Sequence, residues 1–186
     1  MPNCNAKTTR EGLVYLLDAL TELTLKLLQR GYLVRGGLVK DRLIHDETMV
    51  VGQALVDAYL LESTRAKVPR IVVQDEVASD FLQHASRREQ YWLNKAPDGL
   101  YYVNVLHHLD NYGRDLEHAV HPDRFIPNQI SYYFSIKKTI EQQLARTRDD
   151  ARKFEKVKWF AEYWNEVAYS DIPGLEPIEF PPEGAL

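Results

Sequence analysis

Leucines at 13, 16, 17, 20, 23 and 27 recur with the spacing of one helical face, which predicts an amphipathic helix over Leu13–Leu28. Thr8, with Glu11 three residues on, fits a capping box ahead of it. Gly31 follows at the position where helices commonly end on a left-handed residue. Two extended runs come next, Tyr32–Lys40 and Arg42–Val51, with only Asp41 between them, and they predict an antiparallel hairpin. Gly36 and Gly37 inside the first run weaken it as a strand and mark a place where another backbone or a ligand approaches closely. Gly52 opens a helix to about Ala66, in which Leu55, Ala58, Tyr59 and Glu62 share a face. Pro69 blocks its continuation, and Arg70–Val73 reads as a short strand of buried type.

Asp75 is placed to cap a helix running to about Ser86, and the polar stretch Arg87–Gly99 has turn chemistry. Leu100–Val105 is strand-like and suited to close a sheet edge. Asp110–Asn128 is irregular, broken by Pro122 and Pro127, before helices over about Gln129–Thr147 and Asp149–Tyr169. In the last helix Phe154, Val157, Phe160, Ala161 and Trp164 line one face while Trp159 and Tyr163 lie well round from it. Two readings stay open there: a dimer contact, or two faces packed within one domain. The tail from Ile172 carries Pro173, Pro177, Pro181 and Pro182 and reads as extended. The pattern divides as an α/β domain over 1–128, C-terminal helices over 129–171 and a proline-rich tail over 172–186.

At 186 residues and 45% hydrophobic content, one compact domain is the default. The 23 basic and 27 acidic residues give a net charge of −4, so no basic field exists to gather nucleic acid, although a local anion site stays open. The single cysteine, Cys4, excludes an internal disulfide and a thiolate zinc site, and it favours a reducing cytoplasm. No signal-peptide core and no apolar run of membrane length occur, so a soluble, unanchored protein is expected.

Candidate chemistry is thin. His107, His108, His118 and His121, with Asp110 and Asp123 nearby, match no metal-binding spacing, and loop histidines are the preferred reading. Asp18 and Glu22, one turn apart, are better explained by a solvated helix face than by acid/base work, and Cys4 has no nucleophile context. Arg35 is either paired with a carboxylate or turned to a phosphate that Gly36 and Gly37 let approach. His45 and Asp46 read mainly as polar residues at a strand bend, and Arg70 as a salt-bridge partner.

The segments Val34-Arg35-Gly36-Gly37, His45-Asp46, Gly52-Gln53-Ala54-Leu55 with Ala58-Tyr59-Leu60-Leu61-Glu62, and Pro69-Arg70-Ile71-Val72-Val73 together resemble class III nucleotidyl cyclases. Within that family they are most similar to bacterial antiviral enzymes that make cyclic pyrimidine nucleotides; they cover about a fifth of the chain. The resemblance implies a ferredoxin-like α/β sheet with an antiparallel hairpin over Tyr32–Val51, stacked beneath the Leu13–Leu28 helix, with helices on it and a helical C-terminal extension. It implies conversion of a nucleoside triphosphate, CTP or UTP by that likeness, to a 3′,5′-cyclic monophosphate and pyrophosphate. Mg²⁺ or Mn²⁺ would serve the complete enzyme, and Arg35, Gly36, Gly37, His45 and Asp46 would contact substrate.

The departures from the family pattern are specific. The strand and hairpin that carry the two metal-binding aspartates have no counterpart here, so the resemblance assigns this chain no catalytic residue and no metal ligand. The helix positions where the family often places Asn and Arg are Val56 and Leu60, whose side chains cannot stabilise a pentavalent phosphate. The family's absent first strand lies centrally, which would leave a hydrophobic hairpin edge unpaired. The expected partners are therefore a missing N-terminal segment or a second copy in a homodimer, with activity absent from these residues alone. The alternative is a non-catalytic cyclase-like module for nucleotide binding or dimerisation.

Overall fold

The structure, a computed structural model, describes residues 6–87, 89–107, 109, 127–168 and 175–180. It is mixed α/β: among the described residues there are five α-helices, a four-stranded mixed sheet and a separate two-stranded antiparallel ribbon. The chain divides into two compact units, one of residues 1–24 and 34–105, the other of residues 25–33 and 106–186.

Helix α1, Ala6–Gln29, realises the leucine periodicity, but it begins two residues before Thr8, which is therefore not its cap. Its buried positions are Leu17, Thr21, Thr24, Leu25 and Leu28, whereas Leu16 and Leu23 are exposed. The covered stripe is thus rotated from the one the leucines alone suggest. Gly31 ends the helix at φ +83°, and its N–H donates to the Leu28 carbonyl at 2.8 Å.

The first unit is built on a strand–helix–strand crossover. Strand β1, Gly36–Leu38, pairs in parallel with β4, Ile71–Val73, and helix α2, Gln53–Arg65, lies between them in sequence and packs on both. Parallel neighbours require such a crossover. β4 is buried at all three residues because it is flanked on its other side by β6, Tyr101–Val103. β6 pairs in turn with β5, Leu93–Lys95, giving the order β1-β4-β6-β5. Ala66, Val72 and Leu100 form a core cluster with Leu61 of α2 against it. Helix α3, Asp75–His84, buries Val77, Ala78 and Phe81. Gln74, not Asp75, is its N-cap residue; Asp75 sits in the first turn, where a negative charge suits the helix dipole.

The expected hairpin of Tyr32–Lys40 with Arg42–Val51 does not form. β1 is spent on β4, and the second run folds back on itself instead: β2, Ile44–His45, pairs antiparallel with β3, Val50–Val51. The physical reason lies in the turn signals. One residue at Asp41 is too short to reverse a chain, while Asp46-Glu47-Thr48-Met49 closes a turn with the Asp46 N–H donating to the Met49 carbonyl at 3.0 Å. Two further expectations change. The 87–99 stretch is not all loop, since it holds a 3-10 turn at Glu89–Trp92 and strand β5, and β6 is an interior strand rather than the sheet edge.

The second unit packs helix α4, Pro127–Arg146, on helix α5, Ala151–Val167. Tyr133, Ile136, Ile140 and Leu144 form the buried stripe of α4, facing a buried stripe that includes Phe160 and Trp164. Asp150 caps α5 by accepting from the Lys153 N–H at 3.1 Å. The segment Leu175–Phe180 is docked: Leu175 and Ile178 are buried, and the Asn165 amide both donates to the Ile178 carbonyl, at 2.9 Å, and accepts from its N–H, at 2.6 Å.

Candidate functional site

Arg35, Gly36 and Gly37 lie at and just before β1, under α2. The Arg35 guanidinium is ion-paired with Glu62 of α2. A Cβ at Gly37 would run into the Ala58 carbonyl oxygen and lie 3.2 Å from both the Glu62 nitrogen and the Leu61 Cβ. The close approach that this glycine permits is therefore made by the chain's own helix. The two polar consequences of the motif, a free cation and a backbone open to a phosphate, are both taken up by α2.

His45 and Asp46 sit elsewhere, on the β2–β3 ribbon. His45 pairs with Val50 across the ribbon and is exposed. Asp46 organises the turn: its Oδ1 accepts from the Thr48 N–H at 2.8 Å, the Thr48 hydroxyl at 2.9 Å and the Met49 N–H at 2.9 Å. These bonds, led by the Thr48 N–H, hold its carboxyl below the usual range. Among the described residues no hydrogen bond or ion pair joins the 35–37 group to the 45–46 group.

Arg70, immediately before β4, is strongly buried, with its side chain 4% exposed. It is paired with Asp98, Nη1 donating to Oδ1 at 3.3 Å and Nη2 to Oδ2, and its guanidinium lies 5.8 Å from the Tyr102 ring centre. Arg70 depresses the Asp98 carboxyl below its ordinary value. This is the salt-bridge role expected of Arg70. Asp18 and Glu22 are on the exposed side of α1. Cys4, His108, Asp110, His118, His121 and Asp123 lie outside the described residues, and His107 is buried. Among the described residues no three His, Cys, Asp or Glu side chains come close enough to hold a metal ion. Among them, too, no helix is long and apolar enough to cross a membrane.

What the structure does assemble is apolar. Every residue from Lys40 to Val51 is exposed, including Leu43, Ile44, Met49, Val50 and Val51. The Ala54 N–H donates to the Arg42 carbonyl at 3.2 Å, which ties the ribbon base to the first turn of α2. From there the surface continues along α2 as Leu55, Val56, Tyr59 and Leu60, each 49–67% exposed. The face of α2 turned inward is instead Ala54, Ala58, Leu61 and Glu62, so Leu55 and Tyr59 do not belong with Ala58 as their spacing suggests. The signal for the outer stripe was present in the sequence. Apolar residues at i, i+1, i+4 and i+5 exceed what a helix already covered by small residues opposite Gly37 requires.

The second aromatic side of α5 is covered within its own unit. Tyr163 is buried, its hydroxyl accepts from the Leu106 N–H at 3.1 Å, and its ring meets Phe160 and Trp159 at 5.5 and 5.7 Å.

Comparison of the chain with family models, with curated proteins and with solved structures returned no match.

Proposed function

We propose that this chain is a non-catalytic assembly module, which presents the β2–β3 ribbon and the outer face of α2 to a protein partner. One observation carries the reading: nine large apolar side chains stand in water on one continuous stretch, Leu43–Leu60. On α2 alone Leu55, Val56, Tyr59 and Leu60 leave about 400 Å² in water on one helix face, within the roughly 300–600 Å² of the largest, often functional, apolar patch on a monomer, and the ribbon adds further apolar area on both of its faces. A two-stranded ribbon without packing on either face is marginal in water by itself. A covering surface would supply what the ribbon lacks. The polar residues first associated with substrate, Arg35 and Asp46, already have structural partners. A cytoplasmic setting, favoured by the single cysteine, completes the proposal.

The test is photo-crosslinking in the native host from a photoreactive residue placed at Val56, with exposed Lys67 as the control position. A discrete adduct from position 56 and none from position 67 is the expected result. No adduct from position 56 would sink the reading.

A second reading keeps the enzymatic parent: a nucleotidyl cyclase, making a cyclic pyrimidine nucleotide in antiviral defence, completed by an upstream segment that brings the metal ligands and Mg²⁺ or Mn²⁺. The order strand, ribbon, helix, strand over Gly36–Val73 favours it. On this reading the 186-residue protein, given each of the four triphosphates with Mn²⁺, yields no cyclic nucleotide, and a chain extended into the upstream coding region does. Turnover by the 186 residues alone would refute the view that the missing segments are required.

A further inference from the structure

The β5–β6 hairpin closes through Pro97, Asp98 and Gly99, and its tip holds the only Asp-Gly step in the sequence, which has no Asn-Gly step. We propose that this step is a self-modification site, at which Asp98 converts to isoaspartate through a cyclic imide, and that Arg70 is the positioning residue that restrains it.

The reaction needs water and no other reagent. The Gly99 backbone nitrogen gives up its proton and bonds to Cγ of Asp98, while the carboxyl loses an oxygen as water, leaving a succinimide. Water then adds to one of the two imide carbonyls. Cleavage of the N–Cγ bond restores aspartate. Cleavage of the bond from nitrogen to the main-chain carbonyl carbon leaves the chain running through Cγ, with a methylene added to the backbone and a free α-carboxylate.

The tip offers what this chemistry asks for. Pro97, Asp98 and Gly99 are exposed, so water reaches the step. Gly99 has no side chain to shield its nitrogen, and a Cβ built there would meet nothing within 4 Å. It stands at φ +83°, the left-handed residue that ends a hairpin loop of this length.

The structure also shows what holds the step back. Arg70 grips both carboxylate oxygens, Nη1 donating to Oδ1 at 3.3 Å and Nη2 to Oδ2, and the Leu100 N–H donates to Oδ1 at 3.2 Å. A carboxylate bound by a charged fork keeps its charge, and a charged carboxylate is a poor target because an oxide would have to leave. The attacking atom is engaged as well: the Gly99 N–H donates to the Ala96 carbonyl at 2.9 Å. Among the described residues, Arg70 alone of the groups bonded to Asp98 comes from outside the hairpin. Conversion moves the carboxylate off this fork and leaves the buried guanidinium without its anchor.

The experiment incubates the full chain, as wild type, Arg70→Met, Arg70→Lys and Gly37→Ala, beside a synthetic peptide of residues 94–104 at neutral pH. Isoaspartate at position 98 is read by digestion with a protease that cuts before Asp but not before isoaspartate, followed by mass spectrometry. The peptide is expected to convert, and the folded wild type to convert far more slowly. Arg70→Met, with its circular dichroism unchanged, converts about ten- to a hundredfold faster than wild type, the range that loss of hydrogen bonds to a charged group implies. Arg70→Lys keeps the charge without the fork and falls between them. Gly37→Ala disturbs the β1–α2 packing without touching Asp98, and it keeps the wild-type rate. Equal rates in wild type and Arg70→Met overturn the role of Arg70, as does a Gly37→Ala rate that rises as much as that of Arg70→Met, since general loosening would then suffice. A wild type as fast as the peptide overturns the restraint, and a peptide that does not convert overturns the site.

Discussion

Replacing Asp98 by Ala isolates the guanidinium of Arg70 inside the sheet. Arg70 is 4% exposed at its side chain, and its Nε has no acceptor among the described residues, so the two Nη bonds to Asp98 are its polar anchorage. Removing one partner of a buried pair costs about 3–5 kcal/mol. Asp98 itself is half exposed and keeps part of its hydration, so a cost of about 2–3 kcal/mol is expected here. The opposite change, Arg70→Met, leaves a half-exposed carboxylate that rehydrates and an apolar side chain against Tyr102, and it costs within about 1 kcal/mol.

Native-state hydrogen exchange at the amides of β4 and β6 reads both. Asp98→Ala accelerates exchange there roughly 30- to 150-fold, and Arg70→Met less than about tenfold. Because the Asp98 carboxyl is held below its ordinary value of 3.8 in the folded chain, the pair stabilises fully above that value. Its contribution is lost as the pH falls through the depressed folded pKa. The wild type therefore loses protection below about pH 4, and Asp98→Ala does not share that step. Equal costs for the two substitutions, or acceleration below about threefold in Asp98→Ala, would refute the asymmetry argued from burial.

Gly37→Ala drives a methyl into the Ala58–Glu62 backbone of α2 and lowers stability by about 1–3 kcal/mol, read as the denaturant midpoint. Tyr163→Phe removes the acceptor of the buried Leu106 N–H and costs about 1–2 kcal/mol in the helical unit, measured by exchange at α4 and α5. Asn165→Ala deletes both bonds to Ile178 and releases the 175–180 segment, which becomes the first site of cleavage in limited proteolysis; an unchanged fragment pattern would contradict this.

Local chemistry was legible where one signal dominated. The three-residue apolar run Ile71-Val72-Val73 is a buried strand, Gly31 stops α1, and the two long periodic segments near the C-terminus are helices. Pairing was not legible, because it depends on which strand a neighbour needs more. β1 follows the demand of β4 for cover on both edges, and that choice dissolved the expected hairpin. β5 was hidden because Leu93-Asn94-Lys95 is mostly polar and gains its place from the register with β6. The candidate site fared similarly. Arg35 and Gly37 belong together as the motif suggested, but their partners, Glu62 and the Ala58 carbonyl, come from the helix that follows. His45 and Asp46 were separated from them by a turn whose strength resides in one Asp46 oxygen.

The direct pairing of Gly36–Leu38 with Ile71–Val73 has a topological consequence. The middle of this sheet is already zipped shut, so an incoming strand could join only as an outrigger, beside β1 or beside β5. An upstream segment that occupied the interior would first have to prise the two apart, and the amides of Gly36–Leu38 would change neighbours in doing so.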